Sequence, residues 1–311
     1  MENPKTILFV ALGVVTAWFV FVWAKKFPRG STDKPLDESR HNPFHAVDAF
    51  VCTFFDTLGI GNFAPTTSAF KFRGSVPDEK IPGTLNVGYA IPTVAQAYIY
   101  IYLEIVKVDP ATLALMIAAA VGGAWLGAGC VAHLSRRAIQ LGMGFALLVA
   151  ATLMVMKQFD ILPPGGDALT LEGTRLWIGL AANFLLGALM TLGVGLYGPC
   201  LILVSLLGMD PRAAFPIMMG SCAFLMPTGG LRFIREGNYS ARAALVMTLS
   251  GVPAVLIAAY LVKEMPLEYV RWLVVVAAIY AATMMLRSAA VEWHLKAQPK
   301  WEGEAPAEPK R

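Results

Sequence analysis

Gly59, Gly61, Asn62, Phe63, Pro65, Thr66 and Thr67 fall within one short stretch, LGIGNFAPTT from Leu58 to Thr67. A second stretch, LGVGLYGPC from Leu192 to Cys200, repeats the pattern with Gly193, Gly195, Tyr197, Gly198, Pro199 and Cys200. Glycine lets the backbone leave helical geometry, and proline is well accepted at the first position of a new helix, where its missing N–H costs nothing. Each stretch therefore reads as a helix that stops, turns and restarts. A restarted helix carries unpaired N–H groups and a partial positive charge, which together can hold an anion. The expected donors are the backbone N–H groups around Asn62, Phe63, Thr66 and Thr67, and around Tyr197, Gly198, Cys200 and Leu201. Side chains of Asn62, Thr66, Thr67 and Tyr197 add to them. A plainer reading stands beside this one, in which the glycines and prolines only terminate helices and Tyr197 is an interface anchor.

Asp56 lies just before the first break, inside an apolar stretch. An acid at membrane depth is costly, so it points to function by default. Beside an anion it would repel the ligand when ionised and tolerate it when protonated, which makes it the candidate for proton coupling. The alternative is a cap at the membrane boundary. Asn86 and Ser221, with Asn183 and Thr228, are candidates to line a path between the halves, although polar residues in spans commonly bond a neighbouring helix. Cys52, Cys130, Cys200 and Cys222 all sit in apolar segments without CxxC or Cys/His spacing, so neither a metal nor another cofactor is expected.

The elements that must position these residues are membrane helices. Of the 311 residues 57% are hydrophobic and only 15% charged, against about a quarter charged in a soluble domain. The predicted class is an all-α integral membrane protein, a helical bundle of two inverted repeats. Each repeat is a broken helical hairpin plus three transmembrane helices, and one extra transmembrane helix precedes them. The divisions are 1–42 for that helix and a cytoplasmic loop, 43–158 for the first repeat, 159–174 for an extracytoplasmic linker, 175–290 for the second repeat, and 291–311 for a disordered cytoplasmic tail. Long apolar runs at Ile7 to Trp23, Gly83 to Leu103, Ala111 to Ala132, Ala138 to Met156, Ala213 to Leu231, Ala241 to Val262 and Tyr269 to Leu286 supply the spans, at about 20 residues per crossing. Leu58, Gly59, Gly61 and Pro65 recur 134 residues later, and downstream landmarks drift from that register by only three residues. A broken hairpin that enters and leaves by one face, followed by three crossings, puts the second half upside down.

Charge agrees with that count. With the amino terminus outside and the carboxyl terminus in the cytoplasm, eighteen of the 25 lysines and arginines fall on the inner side, among them Lys25, Lys26, Arg73, Lys80, Arg136, Arg137, Arg232 and Arg235.

The paired breaks, the segment GMDPRAAFPIMMGSCAF after the second, and the basic turn RFIREGNYSARAAL resemble the TauE/SafE sulfite exporter family over Phe44 to Arg287. Asn62 stands where that family's glycine run would carry a further glycine. The resemblance implies a secondary transporter of the bacterial inner membrane for a sulfur-containing oxyanion or sulfonate. The expected partners are a small anion and the lipid bilayer, with no nucleic acid; the oligomeric state is open. The chain has no zinc-protease motif, nucleophile elbow or Walker sequence, so no enzyme is expected. An anion channel on the same dipoles, and a non-transporting scaffold or receptor, are the rivals.

Overall fold

Pro4 opens the first helix and Lys25 and Lys26 close it, a proline at the start and cations at the negative end of the dipole. In a computed structural model this helix, α1 (Pro4–Lys26), is one of four among the described residues that are long and apolar enough to cross a membrane. The structure describes residues 4–27, 41–59, 61–77, 80–102, 107–127, 166–190 and 196–264, with scattered helical positions within 141–159 and 269–290. The expected span at Ala138 to Met156, the last one at Tyr269 to Leu286, the loop 28–40 and the tail 291–311 thus lie largely or wholly outside the described residues.

The first half continues with α2 (Asn42–Thr57), α3 (Phe63–Arg73), α4 (Ile81–Gly88), α5 (Ala90–Tyr102) and α6 (Pro110–Gly122), the last running into a π-helical turn at Gly123–Gly127. The second half holds α7 (Gly173–Met190), α8 (Tyr197–Leu206), α9 (Ala214–Glu236) and α10 (Ala241–Glu264). The run expected from Gly83 to Leu103 is therefore two helices in line, interrupted at Tyr89. Thr248 on α10 gives its hydroxyl to the Gly88 carbonyl at 2.8 Å, a polar tie at that interruption.

Neither α2 and α3 nor α8 is long enough to span alone. Gly59 and Gly61 adopt φ of 97° and 84°, values that side chains disfavour, and the chain reverses there. The reversal brings the end of α3 back to the start of α2: the Phe70 ring lies 5.0 Å from His45 and 6.3 Å from Phe44, and the Arg73 guanidinium sits over Phe44. The two helices form a hairpin whose ends share one face of the bundle. α7 and α8 do the same from elsewhere. Asp210 after α8 donates its N–H to the carbonyl of Ala168 before α7 at 3.0 Å, and Leu171 and Leu207 both press on Gly179.

The mouths of the two hairpins lie at different ends of the bundle. Lys80 and α4 follow the first mouth, where Ser240 donates its N–H to the Thr84 hydroxyl and Lys26 reaches the Arg235 carbonyl. α5 and α6 meet at the second mouth, where Asp109 donates its N–H to the Leu169 carbonyl and caps α6 through Thr112. α9 then runs back from Asp210 to Asn238, beside Gly83. Close packing holds this frame: a Cβ on Gly123 would strike the Phe184 carbonyl, and one on Gly187 the Ala120 carbonyl. The glycines of this segment thus serve backbone approach between α6 and α7, the packing role expected of small residues in a membrane bundle.

The helix restarts differ from expectation in one respect. Both begin two residues before the proline, at Phe63 and Tyr197, so Pro65 and Pro199 are third in their helices. The cost is nil there too, since the first few N–H groups of any helix lack an intrahelical partner.

Candidate functional site

The two hairpin tips meet at a cavity of about 40 Å³. By the usual allowance of roughly 10–15 Å³ per water, that holds about three waters or one small ion. Asp56, Gly61, Asn62, Phe63 and Thr93 of the first half form one wall; Met190, Leu196, Tyr197, Cys222 and Met226 of the second half form the other. Three pairs among these stand 134 residues apart, the interval at which the glycine-rich stretch recurs: Asp56 with Met190, Asn62 with Leu196, and Phe63 with Tyr197. Corresponding sequence positions thus bring unlike side chains to the site: Asp56 and Asn62 answer to the apolar Met190 and Leu196, and Phe63 to the polar Tyr197.

Asp56 is 2% exposed, and its carboxylate is held by two donors. Gln96 Nε2 gives one hydrogen bond at 2.8 Å, and the Asn62 backbone N–H, at the amino end of α3, gives the other. Gln96 also donates to the Thr57 hydroxyl at 2.9 Å, and its Oε1 accepts from the Tyr197 hydroxyl at 2.9 Å. This fixes the orientation of the Gln96 amide. One side chain on α5 thus links the acid of the first hairpin to the tip of the second.

Two donors in the polar wall have no partner. Asn62 Nδ2 and Thr93 Oγ1 are buried, on residues 3% and 1% exposed, and neither makes a hydrogen bond. A buried polar group left unpaired costs about 1–3 kcal/mol, so these two are the side chains at the cavity with a hydrogen bond still to give.

Of the residues singled out in the sequence, Asp56, Gly61, Asn62, Phe63 and Tyr197 line this cavity. Gly59 supplies the turn instead and packs against Leu201 and Phe215. Thr66 and Cys200 turn away from ligand duty: their N–H groups bond to the Asn62 and Leu196 carbonyls, and the Thr66 hydroxyl pairs with Tyr89 at 2.6 Å. Thr67, Pro65 and Pro199 are not among the lining residues, and proline has no N–H to offer. The Tyr197 hydroxyl donates to Gln96. Gly198 lies in the first turn of α8, and Gly193 and Gly195 fall outside the described residues. Neither pathway candidate reaches the cavity; Asn86 bonds the Pro82 carbonyl and Ser221 the Ile217 carbonyl, each one turn back on its own helix. Among the described residues no three His, Cys, Asp or Glu side chains gather as metal ligands.

Sequence reasoning missed Gln96, Thr93, Met190, Cys222 and Met226. The 134-residue register, which sets Met190 opposite Asp56, was the available signal for one of them. Replacing Gln96 by leucine leaves the Tyr197 hydroxyl unpaired and Asp56 with one donor fewer. Gln96→Leu is expected to fold, to lose about 2 kcal/mol of stability, and to transport roughly tenfold more slowly in proteoliposomes with KM little changed. Turnover equal to the unmodified protein would leave Gln96 only a packing role.

The sulfite exporter TauE/SafE family model matches residues 3–154 and 176–309, nearly the whole chain in two blocks that part between the halves described above. No curated protein and no solved structure gives a significant match. A bundle with four helices long and apolar enough to cross a membrane, two broken hairpins meeting at a small cavity, and a family match of this extent fit together: the chain belongs to the TauE/SafE sulfite exporter family of membrane transporters.

Proposed function

We propose that this protein is a secondary transporter that carries a small sulfur-containing oxyanion or sulfonate across the bacterial inner membrane, with its amino terminus outside and its carboxyl terminus in the cytoplasm. The observation that carries the reading is the pair of unpartnered buried donors, Asn62 Nδ2 and Thr93 Oγ1, at a cavity lined by both hairpin tips. Two inverted repeats that rock about this point would expose it to each face in turn, the general scheme for transporters with paired broken helices. Asp56, bonded to the same hairpin tip, couples the anion to a proton: ionised, it holds the Asn62 N–H against the ligand; protonated, it yields.

Ligands that bind only the native state raise its apparent stability. Purified protein should gain several degrees in Tm with sulfite or a small sulfonate; no shift with any such anion, alongside a clear one with an unrelated sugar or cation, would overturn the reading. Substrate counterflow in proteoliposomes then separates a carrier from a channel. The topology is checked by labelling single cysteines at Ser75 and Thr170, which lie near the mouths of the first and second hairpins. The first should react only with reagent added from the cytoplasm and the second only from outside. Reaction of both from one face would remove the inverted arrangement.

A further inference from the structure

The second-half wall of the cavity is chemically unlike the first. Cys222 donates its thiol hydrogen to Met190 Sδ at 3.6 Å, Met226 follows Cys222 one turn later on α9, and Leu196 completes the surface. With the thiol hydrogen on Met190 and the Tyr197 hydroxyl on Gln96, this wall has no side-chain donor left for a ligand. Opposite it stand the unpartnered Asn62 Nδ2 and Thr93 Oγ1. An anion stripped of water here would find side-chain donors only among the first-half residues, while the second half offers the backbone N–H groups that open α8 beside its sulfur atoms. Thioether and thiol sulfur are polarisable and make favourable contacts with groups that need no hydrogen bond.

We propose that the site selects oxyanions with one soft, sulfur-terminated end, of which thiosulfate is the simplest. The oxygens lie on Asn62 and Thr93, and the terminal sulfur lies against Met190, Cys222 and Met226. The proposal rests on the anion-site reading above and narrows its ligand class. Sulfate is the matching control, because it has the same charge and tetrahedral shape and differs only in carrying oxygen where thiosulfate carries its outer sulfur. Bulk charge attraction therefore cannot distinguish the two.

The test is the Kd of thiosulfate, sulfate and sulfite for purified full-length protein by titration calorimetry at fixed pH and ionic strength. Thiosulfate is expected to bind at least tenfold more tightly than sulfate. Met190→Gln and Cys222→Ser each place a hydrogen-bond donor on the apolar wall and should shrink that ratio below threefold, chiefly by improving sulfate. Two variants at separate helices guard against one failing to fold, which size-exclusion chromatography reports. Equal affinity for thiosulfate and sulfate in the unmodified protein overturns the selectivity while leaving the anion site standing. A tenfold preference that persists in both folded variants also overturns it, because the sulfur wall is then not its source. Binding of none of the three anions overturns the anion-site reading itself.

Discussion

Asn62→Leu is expected to produce a folded protein that no longer binds its anion at useful concentrations. Leucine has the same branched four-atom side-chain skeleton as asparagine but no donor, and Asn62 Nδ2 is one of the two unpaired donors at the cavity. A hydrogen bond to a charged partner contributes about 1.5–3 kcal/mol, which is roughly 10- to 100-fold in Kd. Stability should move the other way. The ligand-free protein leaves this amide buried and unsatisfied, so removing it relieves a penalty and should raise Tm slightly, the usual opposition between a binding site and the fold that carries it. Calorimetry and a melting curve on one sample read both effects. Binding within threefold of the unmodified protein would take Asn62 out of the site.

Asp56→Asn is expected to sever transport from the proton gradient. The amide oxygen can still accept from Gln96 Nε2, so the geometry at the hairpin tip survives, but the side chain no longer titrates. On the proposed coupling, the anion binds best when Asp56 is protonated. Binding therefore takes up a proton, and affinity should fall by about tenfold for each pH unit above the Asp56 titration. The variant should give a flat profile, exchange anion for anion at every pH, and fail to accumulate it when a pH difference is imposed across proteoliposomes. A slope equal to that of the unmodified protein would assign the coupling to another group.

Much of this was legible because glycine and proline act locally. Gly59 and Gly61 had to sit where the chain turns, and the recurrence at Gly193 and Gly195 marked a second such place before any contact was known. The positions of polar residues along the spans were legible too, but their partners were not. Asn86, Ser221 and Thr228 have side chains short enough to satisfy themselves one turn back on their own helices. Gln96 is longer and bonds across to α2 and α8. The sulfur wall escaped notice for a different reason. Met190, Cys222 and Met226 are ordinary apolar residues in the sequence and acquire meaning only from lining the same cavity as Asp56 and Asn62. Likewise the donors at Thr66 and Cys200 were counted as free because the helices were expected to begin at the prolines, two residues late.

Among the described residues, Gly61, Asn62, Leu196 and Tyr197 bring the two hairpin tips together beside the cavity. A seal formed by these tips would have an electrical consequence. Membrane voltage falls mainly across the barrier that separates the two aqueous faces, so a ligand passing between tips that form that barrier would cross most of the voltage there. Each elementary charge moved through the full voltage is worth about 2.3 kcal/mol per 100 mV. A dianion travelling with one proton would carry one net negative charge, and a cell interior that is negative would expel it. The voltage would then add an outward drive, set against the pH difference that the coupled proton senses, without any asymmetry in the affinity of the two faces.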